Sequence, residues 1–121
     1  MSWVLDTNIS IYHLGGDLAQ PLPTDDVLIS IITEIELLSY PSLAPDEEGR
    51  VVEFLSSLAI VGLTPEVRDA AIEIRRSHNV KLPDAIIAGT AIALDAVLLT
   101  NDRRLAQIPG LRAQDLALKK A

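Results

Sequence analysis

Between Lys81 and Leu105 the chain passes from a nearly unbroken apolar run into a short polar one, Thr-Asn-Asp-Arg-Arg. Ala85, Ile86, Ile87, Ala88, Ala91, Ile92, Ala93 and Leu94 predict a helix with almost no polar face, wrapped in protein. Gly89 and the alanines permit close approach of a neighbouring backbone. Pro83 suits the first turn, where a missing N–H costs nothing, and Asp84 beside it meets the positive end of the helix dipole. Ala96 to Leu99 then reads as a strand buried on both faces, followed at its carboxyl end by Thr100, Asn101 and Asp102. In an open α/β sheet that end is the ligand side.

The same alternation runs through the rest of the chain. Trp3 to Leu5 predicts a short buried strand ending at Asp6, which can cap a helix carrying Ile9, Ile11, Tyr12 and Leu14, with Gly15 and Gly16 as its stop. After a loop from Asp17 to Asp26, Val27 to Ile29 predicts a second strand, and Ser30 caps a helix running to about Tyr40. On that helix Ile31, Ile32, Ile35 and Leu38 form the expected buried stripe, and Glu34 and Glu36 fall on opposite flanks, so periodicity leaves both open. Pro45 to Leu58 predicts an amphipathic helix opened by Asp46, Glu47 and Glu48, and Ala59 to Leu63 a third strand. A helix beginning at Thr64, Pro65 and Glu66 presents Val67, Ala70, Ala71 and Ile74 inward and Arg68, Arg75 and Arg76 outward. Residues 102–106 predict a helical turn and Leu111 to Ala113 a last strand, while Gln114 to Ala121 is expected to fray.

Strands alternating with helices predict an α/β fold, a central mainly parallel sheet between two helical layers, and 121 residues without a linker predict one domain over 1–121. Hydrophobic residues make up 49% and mean hydropathy is +0.30, yet Trp3, Tyr12, Tyr40 and Phe54 are the only aromatics. Leu, Ile, Val and Ala therefore build the core, and an apolar chain this small is expected to keep apolar surface for a partner. No cysteine is present, which excludes disulfides, thiol catalysis and zinc–thiolate sites. There is no GxGxxG or GxxxxGK[ST] motif. The longest apolar run is too short for a membrane span and is broken by Asp95, so a soluble cytoplasmic protein with no membrane partner is expected.

Net charge is −7, but residues 1–60 carry ten acids against Arg50 alone, whereas residues 61–121 carry nine Lys and Arg against seven acids. Arg75, Arg76, Lys81, Arg103 and Arg104 are thus candidates for a local basic rim. Asp6, Glu34 or Glu36, Asp84 and Asp102 all fall near the carboxyl edge of the expected sheet. Converging carboxylates repel unless a hard dication neutralises them, and Mg2+ or Mn2+ prefers oxygen ligands of this kind.

The set VLDTN at residues 4–8, TEIELL at 33–38, LPDAIIAGTA at 82–91 and LLTND at 98–102 resembles the PIN-domain ribonucleases, particularly VapC-type toxins of toxin–antitoxin systems. The resemblance spans nearly the whole chain and rests on four motifs in order. It implies a PIN-like three-layer α/β/α sandwich and a Mg2+- or Mn2+-dependent endoribonuclease. Its acidic quartet falls on Asp6, Glu36, Asp84 and Asp102, with Asp6 and Asp84 as metal ligands. The family's Thr-x-x-Glu spacing, at Thr33 and Glu36, selects Glu36 over Glu34. Thr7, Asn8, Thr100 and Asn101 are then expected to orient carboxylates or bound water. RNA as substrate, an antitoxin protein as partner and a homodimer are implied by the same resemblance.

Two other classes compete with this reading. A receiver-like phospho-acceptor domain requires an Asp at the end of the third strand, where Leu63 and Thr64 stand instead. A noncatalytic interaction module with a vestigial acidic site would bind a partner without metal-dependent cleavage.

Overall fold

A computed structural model describes residues 1–120. Its elements follow the expected order: β1 (Trp3–Leu5), α1 (Thr7–Leu14), β2 (Val27–Ser30), α2 (Ile31–Leu38), α3 (Pro45–Ser56), β3 (Ala59–Val61), α4 (Pro65–Ser77), α5 (Leu82–Ala93), β4 (Val97–Leu99), α6 (Arg103–Ala106) and β5 (Arg112–Gln114). The five strands form one sheet in the order β3-β2-β1-β4-β5, and every pair is parallel. Trp3, Val4 and Leu5 lie opposite Val27, Leu28 and Ile29 on one side and Val97, Leu98 and Leu99 on the other. Parallel neighbours require crossovers, and the helices supply them. Among the described residues no helix is long and apolar enough to cross a membrane.

Side chains alternate across the sheet, which divides the interior in two. Val4, Leu28 and Leu98 face a core built with Val67, Ala71 and Ile74 of α4 and Ala85 to Ala91 of α5. Leu5, Ile29 and Leu99 face the opposite core, with Ile9 of α1, Leu37 of α2 and Val51 and Leu55 of α3. Burying one such side chain fully is worth about 1.5–3 kcal/mol, so a β1 enclosed on both faces anchors the sheet. Gly89 explains how closely α4 and α5 approach. A Cβ there would stand 3.1 Å from both the Val67 carbonyl oxygen and the Ala71 nitrogen, backbone atoms that cannot swing aside. Ser30 and Thr64 cap α2 and α4, accepting from the N–H groups of Ile32 and Val67 at 3.0 and 3.2 Å.

Five expectations need correction. On α2 the buried residues are Thr33 and Leu37, four apart, whereas Ile35 and Leu38 are 55% and 40% exposed. Only half of the anticipated stripe is turned toward solvent, since Ile31 and Ile32 stay half-buried, and the Thr33 hydroxyl, with a partner in Thr7 at 3.1 Å, lets a polar residue enter the interior satisfied. This helix also ends at Leu38, and β3 ends at Val61.

The last strand is displaced by one residue, to Arg112–Gln114, and the chain beyond it does not fray. Leu116 is buried, Leu118 bridges Leu18 in antiparallel fashion, and Ala19 and Lys119 donate to the carbonyls of Ala117 and Asp17 at 2.9 and 2.8 Å. A buried leucine and paired backbone outweigh the polar composition of this segment. Residue 121, its last member, lies outside the described residues.

Candidate active site

In the strand order, β1 continues to β2 on one side and meets β4 on the other, so the carboxyl ends of β1 and β4 flank the crevice where open α/β sheets bind ligands. Asp6 stands at the first of these ends. Its own N–H donates to the Leu99 carbonyl at 3.1 Å, and one carboxylate oxygen accepts the Ile9 N–H at 2.7 Å as the cap of α1. The other oxygen accepts a hydrogen bond from the Thr100 hydroxyl. Asp6 is only 6% exposed, so this carboxylate is both buried and held.

The remaining acids arrive from three other elements. Glu36 on α2 accepts a 2.6 Å hydrogen bond from the Thr7 hydroxyl. Asp84 lies in the first turn of α5, two residues after Leu82 opens the helix, and Asp102 caps α6 through the Arg104 N–H at 2.9 Å. All four line one cleft of about 240 Å3, floored by Ile87 and Leu105. Glu34 is not among its lining residues.

The electrostatics reflect this gathering. Asp6 titrates above the ordinary carboxylate range, chiefly because burial disfavours its charged form; the Thr100 and Ile9 hydrogen bonds oppose the shift, and the charges of Asp84 and Asp102 add to it. Asp84 is also raised, first by burial, then by repulsion from Asp102 and Glu36, while Arg104 and Lys81 pull it down. Among the described residues no group of three His, Cys, Asp or Glu side chains is placed to hold a metal ion. A Mg2+-class ion does not need one, because it keeps several waters and takes one or two carboxylates plus substrate phosphate. Mutual repulsion between carboxylates in one cleft is the donor chemistry that such an ion relieves, so the residues fit a hard dication.

The Thr7 and Thr100 hydroxyls donate to Glu36 and Asp6, and Asn8 lines the cleft. Asn101 does not share that arrangement: its amide donates to the Leu116 carbonyl at 2.9 Å and accepts the Leu116 N–H at 2.8 Å. Lys81 lines the cleft, and the Arg104 Nε lies 3.6 Å from an Asp102 oxygen. Arg103 borders an adjoining hollow beside Asp102. Arg75 and Arg76 lie elsewhere, in a groove of α4 and α5 lined also by Leu63, Ile72 and Leu82. Sequence reasoning left Thr33 out of the site, although the Thr-x-x-Glu spacing marks it. Nothing local marks Leu116.

The PIN domain family model matches residues 3–111. Among solved structures, a DNA-bound VapBC from Salmonella typhimurium contains a chain that is 31% identical with a TM-score of 0.78, the match covering 95% of this chain and 98% of that one. A toxin–antitoxin complex from Klebsiella pneumoniae gives 29% identity and a TM-score of 0.71, over 91% and 95% of the two chains. VapBC2 from Rickettsia felis, bound to a promoter DNA fragment, gives 25% and 0.77, over 97% and 100%. The comparison with curated proteins gives no match.

Proposed function

The chain belongs to the PIN domain family, a family of nucleases, and on that premise we propose that it is a Mg2+- or Mn2+-dependent endoribonuclease, the toxin of a toxin–antitoxin pair. The observation that carries this reading is the meeting of Asp6, Glu36, Asp84 and Asp102 in one cleft, with two of them raised by burial and mutual repulsion. Asp6 and Asp84 would hold the metal, helped by Glu36 and Asp102. The bound ion would supply activation of water and charge neutralisation at the RNA phosphodiester. Thr7 and Thr100 keep Glu36 and Asp6 in fixed orientations through their hydroxyls. Lys81 and Arg104 set positive charge at the cleft for the phosphate backbone. Hydrolysis would leave a 5′-phosphate and a 3′-hydroxyl.

Incubation of the protein with total RNA, with Mg2+, with Mn2+ and with chelator, followed by sequencing of new ends, tests the activity. Cleavage confined to the metal-containing samples is expected. Cleavage that persists in chelator, or survives Asp6→Asn or Asp84→Asn in folded protein, overturns it.

The partner half of the reading rests on exposed apolar surface. Tyr40, 58% exposed, borders a hollow of about 400 Å3 between α1, α2 and α3, and Leu63 and Leu82 stand exposed at the α4–α5 groove. We assign the first to an antitoxin and the second to a second copy of this chain, acting in the cytoplasm where RNA is met. Tyr40→Glu should weaken copurification with the neighbouring gene's product, and Leu82→Glu should convert a sedimenting dimer to monomer. If the parent protein neither binds that product nor dimerises, the toxin assignment fails while the nuclease assignment stands.

A further inference from the structure

The segment after β5 is tied to the rest of the molecule at two places that have no local reason to be joined. At one end, residues 117–119 run antiparallel to residues 17–19, which come after α1. At the other, both functional ends of the Asn101 amide grip the backbone of Leu116, at 2.9 Å through the donor and 2.8 Å through the acceptor. Leu116 is itself buried in the core that contains Leu18 and Leu99. A side-chain amide bonded twice to one residue mimics the reciprocal pairing of an antiparallel pair, and it ties the two segments together just beyond the end of the parallel β4–β5 ladder, past the bond from the Thr100 N–H to the Gln114 carbonyl at 3.0 Å.

The clamp holds the turn between β4 and α6. Asn101 has Thr100 on one side and Asp102 on the other. The Thr100 hydroxyl donates to Asp6 and accepts the Asp102 N–H at 3.1 Å, so this one oxygen links two acids of the cleft. Its geometry requires the backbone of residues 100–102 to stay in one conformation. Short loops without a buried apolar anchor are ordinarily mobile. Here the anchor is supplied from fifteen residues away, by Leu116.

We propose that Asn101 is a positioning residue: by clamping Leu116 it fixes the turn that presents Thr100 to Asp6 and Asp102 to the cleft. The segment from Gln114 to Lys119 is thereby part of the apparatus that shapes the site, not an appendage. This rests on the nuclease reading for its consequence in rate, but not for its consequence in structure.

The test compares the full chain with Asn101→Ala, with Asn101→Asp, which retains an acceptor for the Leu116 N–H, and with Leu55→Val, a core change on α3 away from the cleft. Amide hydrogen exchange and steady-state cleavage of RNA with Mg2+ are read on all four. In Asn101→Ala, the Asp102 and Leu116 amides should exchange faster while Leu98 and Leu99 stay protected. The turnover rate should fall roughly ten- to a hundredfold with KM little changed, since small misplacements of reacting groups cost that much. Asn101→Asp should recover part of both effects, and Leu55→Val should leave the rate unchanged despite its lower melting temperature. If Asn101→Ala releases Leu116 but leaves Asp102 protection and turnover as before, the clamp is merely structural and the proposal falls. If the parent protein cuts no RNA, the nuclease reading is lost, and exchange at Asp102 alone decides whether Asn101 holds the turn.

Discussion

Thr7 and Glu36, twenty-nine positions apart, are joined by a 2.6 Å hydrogen bond that fixes the α2 carboxylate against the first turn of α1. The same Thr7 hydroxyl lies 3.1 Å from that of Thr33, one turn earlier on α2. Thr33 thus serves as the inward, satisfied polar residue about which that helix is set, and Glu36 comes three positions later at the cleft.

From this pair comes the first prediction. Thr7→Val should lower RNA cleavage roughly tenfold or more by freeing the Glu36 carboxylate, a loss typical of removing a group that orients a metal-site side chain. Thr7→Ser should retain most of the activity. Glu36→Gln should cripple cleavage and Glu34→Gln should not; steady-state rates of the four variants, with melting curves to establish folding, make the comparison. A dominant effect at Glu34 would show that the wrong glutamate has been assigned.

Asp84 has two repelling neighbours, Asp102 and Glu36. Replacing it by Asn should therefore raise the melting temperature in chelator while abolishing cleavage, function being held here at some cost to stability. Mg2+ should stabilise the parent protein and leave the variant nearly unmoved. A ligand that binds only the folded state contributes about 2.7 kcal/mol at one hundred times its dissociation constant, so a Mg2+ titration of the melting temperature reads the difference directly. A lower melting temperature for the variant in chelator would mean that the carboxylates do not strain the fold.

The pH dependence of stability without metal has a definite sign. Asp6 and Asp84 both titrate above the ordinary aspartate value in the folded protein, so the folded state holds protons that the unfolded state has released. Their contribution is fully present below the unfolded value and is lost as pH rises through the folded values. The advantage of Asp84→Asn over the parent in chelator should accordingly be largest at neutral pH and shrink on acidification toward about pH 4, the ordinary aspartate value. Denaturant titrations of both proteins across that range measure the gap; a gap that widens on acidification would contradict the assigned direction.

Gly89 provides a test of the fold independent of the chemistry. Gly89→Val should destabilise the protein by about 1–3 kcal/mol, because overpacking would push α5 away from the backbone of α4. Gly89→Ala should cost less, since the gain of up to about 1 kcal/mol in helix propensity offsets part of the 3.1 Å contacts. Equal stability of all three proteins would show that the α4–α5 contact is looser than its spacing implies.

Elements with local causes were readable from residues alone. Val97 to Leu99 is apolar at every position because both faces are covered, Ser30 and Thr64 cap the helices they precede, and Asp6, Asp84 and Asp102 sit where strands end or helices begin. Features that depend on partners far along the chain were not. The buried Thr33 of α2 has its partner in a hydroxyl on α1, which no periodicity within α2 contains. The Asn101 amide looked suited to a neighbouring carboxylate or water because its local sequence is all that is visible, yet its partner is the Leu116 backbone. The segment from Gln114 onward was expected to fray for the same reason, its anchoring Leu116 being indistinguishable in composition from a surface residue.

The antiparallel contact of residues 117–119 with residues 17–19 also orders events in time. A ribosome lays down all four acids, from Asp6 to Asp102, before Leu116 exists for Asn101 to grip. A nascent chain therefore possesses the charges of the cleft before it possesses the means to hold them in register. Completion of the site waits for Leu116, made well after Asp102, so the cleft stays unfinished while the chain grows.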